Sequence, residues 1–477
     1  MNYPNDPMAE GGIAVFAEKL RSGHITISGA TRAYLDRIEA LDGKLGALQY
    51  VAKEEAIAAA EAMDKLLAAG TDLGPLMGVP IGIKDIYAVE GMPITNGSLF
   101  DATNITGPEG RFVTGLKQAG CIILGKTKTV EFALGATGVN EARGTPWNPW
   151  DLSSHRTPGG SSSGSGVATA AGLCAFAMGS DTGGSIRMPA GLCGTVGLKP
   201  TYGLIGRSGI VPHSWSLDHA GPLAATVADT VFVTEALQGY DENDPGNVNI
   251  KPQKFSEALG AEVKNLKIGI CRNHFFEGLE RDVEKNVEAA IDDISKLGCE
   301  IIEFEVPNLE FGLGAIFAIE LASSSAWHDH RIKKGLTSGY QKDVQTLVEI
   351  GQFITAIDYL KAEQFRRVLI NDFTKIFNDI NIIVSPTLPL TAWRVGENMV
   401  QIGESRESAL AASWRLTYPW NLTGFPALSV PCGYDKKGLP VGLQLAAAPF
   451  KEADLFRLAY AYEEKAGWKA LRATLKS

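Results

Sequence analysis

Two Gly/Ser clusters flank a run of small apolar residues in the middle of this chain. They are "TPGGSSSGSG" at 157–166 and "SDTGGSIRMP" at 180–189, with "VATAAGLCAFAMG" between them. Taken alone, the first has the composition of a flexible linker. The run behind it argues against a linker. Residues 167–178 are almost wholly small and apolar, which predicts one buried helix of about three turns at ~1.5 Å rise per residue. A buried helix holds the turn at each of its ends against the core. In "DTGGS" (181–185) consecutive glycines remove side-chain obstruction and let backbone N–H groups converge on one point. A developing oxyanion needs such a nest, and Ser185 closes it where a nucleophile would stand. A Gly-rich turn packed closely on its neighbours explains either cluster alone. It explains the pair less well.

The remaining residues supply a core for these turns. Helical periodicity covers about 10–70, and "GPLMGVPIGIKDIYAVEG" (74–91) reads as a buried strand punctuated by turns. A helix–Gly–strand grammar appears at 108–130 and again at 282–307. Repetition of that kind predicts an α/β fold. The polar stretch 241–265 is either a break between halves or a long surface loop. Residues 312–378 return to helical spacing, and 380–393 and 426–435 read as strands bordered by prolines. No internal repeat is present.

Several function classes lose support at this stage. A net charge of −10 argues against a general nucleic-acid binder. The six cysteines are scattered without a CxxC pair, mostly among apolar neighbours, as core hydrophobes in a reducing compartment would be. The N-terminal stretch lacks a basic region followed by an apolar core, and no run of ~18 apolar residues occurs, so a cytoplasmic protein with no membrane partner is expected. "GCIILGKT" (Gly120–Thr127) matches the G-x-x-x-x-G-K-T pattern. However, its middle residues belong in a strand and the segment before it reads as a helix, the reverse of a phosphate loop. Among seven histidines only "HDH" (328–330) suggests a metal; without a companion cluster, a solvated helix face is expected there. No G-x-S-x-G elbow supports a Ser-His-Asp triad. Neither a metal nor a cofactor is called for.

Lys84 sits in the apolar segment "GVPIGIKDIY" (78–87), and lysines are almost never fully buried without a partner. Either it pairs with Asp85 or snorkels to the surface, or burial lowers its pKa and makes it a base. Beside two Gly/Ser clusters, the second reading joins a coherent set.

"GVPIGIKD" (78–85), "PGGSSSGSGVATAAG" (158–172) and "GSDTGGSIRMPAGLCGTVGLKPTYG" (179–203) together resemble the amidase signature family of serine hydrolases. The resemblance extends through "NPWD" (148–151), "SLDHAGPLA" (216–224), "SPTLP" (385–389) and "NLTGFPALSVPCG" (421–433). It implies one large α/β domain over 1–477, with a mixed central sheet covered by helices on both faces. Within it the signature core spans about 75–230, and a variable region for substrate specificity spans about 240–380. It also implies a catalytic set of Lys84, Ser161 after a cis peptide, and the nucleophile Ser185, with Thr182, Gly183, Gly184 and Ser185 forming the oxyanion hole. Ser162 is expected in support at the turn. Asp181 and Arg187 flank the nucleophile and are expected to orient the loop, with Arg187 either reaching a substrate carboxylate or serving a structural ion pair.

The family includes stand-alone amidases, the amidase subunit of tRNA-dependent amidotransferases, and membrane-bound fatty-acid amide hydrolases. An apolar N-terminal helix of the membrane form is not seen. Residues 310–370 lack the Arg-rich, "GTY"-containing stretch expected of the tRNA-linked subunit. The sequence therefore favours a stand-alone amidase for a small aliphatic, aryl or anilide-type amide; the alternative is the tRNA-linked subunit. No direct nucleic-acid contact is expected, and relatives suggest a homodimer.

Overall fold

The computed structural model describes residues 5–100, 107–468 and 475. Among these, an 11-stranded sheet has the order β1 (Leu48–Val51), β3 (Ile122–Thr127), β2 (Pro80–Lys84), β4 (Phe176–Asp181), β6 (His219–Ala224), β5 (Val196–Lys199), β12 (Ala427–Tyr434), β13 (Pro440–Ala447), β9 (Ile382–Pro386), β7 (Lys267–Cys271), β8 (Glu300–Phe304). A separate ribbon pairs β10 (Met399–Ile402) with β11 (Ser405–Ser408). Two parallel groups, β3–β2–β4 and β9–β7–β8, are joined through antiparallel β6, β5, β12 and β13. The sheet is mixed, as expected. β2, β3, β4, β6, β9 and β13 are buried at every position. Side chains alternate between faces along a strand, so burial at every position means that both faces are covered.

The apolar run between the Gly/Ser clusters departs from expectation. The helix spans Ser163–Ala170, beginning inside the first cluster, and the second part of the run becomes the central strand β4. A run apolar on every side suits a buried helix and a doubly covered strand equally, so periodicity does not divide it. Gly172, at φ +66°, makes the division, because a left-handed residue ends the helix. The low helix propensity of "SGSG" is overridden by packing: a Cβ on Gly164 would stand 2.3 Å from the Ala47 carbonyl oxygen.

The G-x-x-x-x-G-K-T match resolves as its inverted order suggested. Residues 122–127 form β3, and the helix Arg111–Gln118 precedes it. Lys126 is wholly buried, with Nζ 3.0 Å from Asp85 Oδ1 and 2.8 Å from the Tyr87 carbonyl. The cysteines are free thiols, five buried and Cys432 half-buried. "HDH" corrects the solvated-face expectation. His328 is buried, its Nδ1 2.8 Å from the Tyr340 hydroxyl and its ring edge-on to Phe132. The 312–333 helix is wrapped around core on that side, so one of its two histidines points inward and His330 outward. Among the described residues no group of three His, Cys, Asp or Glu side chains is placed to hold a metal.

Because Asp85 is buried with Lys126 as its counter-charge, Lys126→Met is expected to destabilise the protein by about 3–5 kcal/mol, the cost of leaving one buried ion unpaired. Urea unfolding followed by circular dichroism measures this; an unchanged midpoint would contradict the pairing.

Candidate active site

The parallel pairing of β2 with β4, Ile83 opposite Met178, brings Lys84 and Ser180 to the carboxyl ends of neighbouring strands. Sites of α/β sheets gather at that edge. Lys84 is wholly buried. Its Nζ lies 2.7 Å from Ser161 Oγ and 2.8 Å from Ser180 Oγ. It neither pairs with Asp85 nor reaches the surface. Burial, opposed by the carboxylates of Asp181 and Asp218, lowers its pKa to about 7. Ser161 is also buried, and the Gly160–Ser161 peptide is cis.

The next residues of the run fix the turn in place. Ser162 Oγ accepts from the Ser180 N–H and donates to the Ser180 carbonyl, each at 3.2 Å. Its own N–H donates to the Ser185 carbonyl at 3.3 Å, tying the first cluster to the second. Ser165 Oγ sits 2.7 Å from Thr127 Oγ1 and donates to the Met178 carbonyl, which holds the helix between β3 and β4.

Strand alternation sends Ser180 toward Lys84 and Asp181 the other way. Asp181 accepts from Arg187 Nε and Nη2 at 3.0 Å each. Arg187 also donates to Gln444 Oε1, Asn421 Oδ1 and the Thr417 carbonyl. That uses all the N–H donors a guanidinium has, and the residue is wholly buried. Arg187 is therefore held in a buried ion pair with no N–H left over for a substrate carboxylate. Burial alone would raise the Asp181 pKa, but Arg187 and the other partners hold it well below the usual carboxylate range.

The same carboxylate organises the turn. Asp181 Oδ1 accepts from the Gly184 N–H at 2.8 Å and Oδ2 from the Ile186 N–H at 3.1 Å. Gly184, expected among the oxyanion donors, thus gives its N–H to Asp181. Its contribution is conformational: φ is +134°, and a Cβ there would lie 2.3 Å from Thr417 Oγ1. Among the described residues the N–H groups of Thr182, Gly183 and Ser185 meet no acceptor. The Thr182 hydroxyl donates to Asp218 Oδ1 at 2.7 Å. Ser185 is 5% exposed, while Lys84 and Ser161 show no surface at all. Solvent therefore enters at Ser185. Trp414 and Ile316 stand beside Gly183.

Sequence reasoning missed Ser180, Asp218, Thr417 and Asn421. Ser180 and Asp218 carried a signal, since each lies in a quoted motif, "GSDTGGS" and "SLDHAGPLA". Asn421 likewise opens a quoted motif, "NLTGFPALSVPCG", whereas Thr417 arrives from more than 200 residues away with no local pattern to mark it.

A family model described as Amidase matches residues 29–456. The chain belongs to the amidase family. It is 37% identical to the A-type subunit of glutamyl-tRNA(Gln) amidotransferase from Nostoc sp., over 92% of this chain and 94% of that one. Among solved structures, a member of a vestigial protein complex tied to the origins of an s-triazine catabolic enzyme is 32% identical, with a TM-score of 0.87 over 98% of this chain and all of that one. The peptide amidase of Stenotrophomonas maltophilia is 27% identical, with a TM-score of 0.84 over 99% of this chain and all of that one. The chain is an enzyme acting on amide C–N bonds, with the family's single α/β domain and mixed sheet.

In this amidase, Gly184→Ala is expected to displace Thr417 and lower stability by about 1–3 kcal/mol, through backbone strain and overpacking. Gly314→Ala, whose added Cβ meets nothing within 4 Å, is the control. Equal unfolding midpoints for the two variants would contradict the crowding at Gly184.

Proposed function

We propose that this amidase cleaves a small carboxamide through Ser185, Ser161 and Lys84, by way of an acyl-enzyme. The observation that carries this is Lys84: wholly buried, bonded to Ser161, and lowered to about 7 by desolvation. A serine hydroxyl is a weak nucleophile without an adjacent base. Neutral Lys84 takes the Ser161 proton as Ser161 takes that of Ser185. Ser185 Oγ bonds to the amide carbon, and the resulting oxyanion is met by the free N–H groups of Thr182, Gly183 and Ser185. Ser161 returns its proton to the leaving nitrogen as the C–N bond breaks, and Lys84 reprotonates Ser161. Water then attacks the acyl-enzyme through the same relay and releases the acid.

For the substrate, the comparisons favour the reading that the sequence placed second. The identity to the A-type subunits of glutamyl-tRNA(Gln) amidotransferases, sustained over nearly the full length, supports a chain that releases ammonia from a carboxamide and works with partner chains. The stand-alone reading rests on Trp414 and Ile316 beside Gly183, an indole edge with its N–H and an aliphatic side chain, suited to an aryl or alkyl acyl group. Ammonia release by the purified chain from glutamine and from benzamide, with and without the amidotransferase partner chains, separates the two. Ser185→Ala is expected to lower turnover of the accepted amide by about 10⁴-fold or more, and Ser161→Ala by roughly 10²–10⁴-fold. Mass spectrometry should find the acyl group on Ser185. Turnover at the parent rate by either variant would contradict the assignment.

A further inference from the structure

A second buried pair lies outside the Ser–Ser–Lys set and touches both of its sides. His213 Nε2 and Glu320 Oε1 are 2.6 Å apart, with each side chain only 3% exposed. His213 Nδ1 stands 3.3 Å from the Phe132 carbonyl oxygen. Both ring nitrogens therefore face oxygen acceptors, and only an imidazolium carries a proton for each.

His213 connects three pieces of structure. Its backbone N–H donates to Asp218 Oδ2 at 2.9 Å, and Asp218 Oδ1 accepts from the Thr182 hydroxyl of the loop ending in Ser185. On the opposite side, Phe132 and Ala133 are held at φ +51° and +60°, a region L residues seldom occupy. Their segment continues to Ala136, whose carbonyl accepts from the N–H of Gly160, next to Ser161. The third piece is the 312–333 helix, where Ser324 Oγ donates to the His213 carbonyl at 3.1 Å. One turn before Glu320, Ile316 borders Gly183.

We infer that His213 and Glu320 form a positioning pair. The imidazolium, held by Glu320, ties the left-handed Phe132 segment, the 312–333 helix and, through Asp218, the Thr182–Ser185 loop into one wall of the site. The inference rests on the reading of Ser185 as nucleophile; neither residue of the pair is assigned to the chemistry itself. The titratable groups around the ring are Glu320 and His328 from the helix and Asp218 from its own loop, and the Phe132 segment presents a carbonyl. Burial disfavours the charged ring, but Glu320 and Asp218 outweigh it and the His213 pKa is raised. As pH rises through that raised value the ring loses one proton. The longer bond, to Phe132, is then released while the bond to Glu320 is kept.

The test is the pH dependence of Ser185 labelling by a fluorophosphonate in the purified full chain. In the parent, the rate should climb through about pH 7 as Lys84 becomes neutral and fall again on an alkaline limb, at a pH above the ordinary imidazole value, as His213 deprotonates. Glu320→Gln should shift that fall to lower pH and cut the peak rate between about tenfold and a hundredfold, the scale of a small misplacement at a reacting centre. His213→Gln, which does not titrate, should lose the alkaline fall altogether; it serves where Glu320→Gln does not fold. A merely structural pair would move the melting temperature and leave the alkaline limb in place. Folded variants with the parent's rate and limb would overturn the positioning role alone. Absence of Ser185 labelling in the parent would overturn the nucleophile assignment, and this inference with it.

Discussion

Everything at the site depends on one amine in the wrong place for a charge. Lys84 Nζ is enclosed, with two serine hydroxyls within 2.8 Å and no carboxylate in contact. An ammonium so placed loses its hydration and gains only hydroxyl dipoles, whereas the neutral amine loses far less. The fold supports the neutral form by engaging its nearby carboxylates elsewhere. Asp85 faces Lys126, Asp181 faces Arg187, and Asp218 binds the Thr182 hydroxyl and the N–H groups of His213 and Ser214. Asp181 and Asp218 still raise the Lys84 pKa somewhat, which keeps it near neutrality rather than far below.

Asp181 and Arg187 show how such a turn is stabilised without flexibility. Gly183 and Gly184 give the backbone freedom that would be costly if left unrestrained. The Asp181 carboxylate restrains it by gathering the Gly184 and Ile186 N–H groups, and Arg187 fixes that carboxylate from the 417–421 and 444 side. The N–H groups left over, those of Thr182, Gly183 and Ser185, are the ones proposed to meet the substrate oxyanion. A loop that looks mobile in composition is thus pinned from the far end of the chain.

Much of this was legible in the sequence for physical reasons that can be named. Lys84 stood out because a lysine in an apolar, Gly-flanked segment needs an explanation, and the two Gly/Ser clusters stood out because a buried run joined them. The helix–Gly–strand alternation and the inverted order around Gly120–Thr127 also carried through to β3 and its preceding helix. The helix and strand between the clusters were not separable, since a run apolar on all sides has no period to read. Arg187 was left between two roles, because its competing acceptors, Asn421 and Gln444, lie more than 200 residues away. His328 was misplaced to the surface for a similar reason: its cover, Phe132 and Tyr340, comes from separate segments.

The central claim is that Lys84 is a neutral amine at working pH, and its titration can be observed directly. Protein labelled at lysine ¹³Cε, compared with Lys84→Met to assign the resonance, should show one lysine titrating near pH 7. If the Lys84 resonance instead moves only near the ordinary lysine value of about 10.4, the amine is charged throughout the working range and the account of this site is wrong.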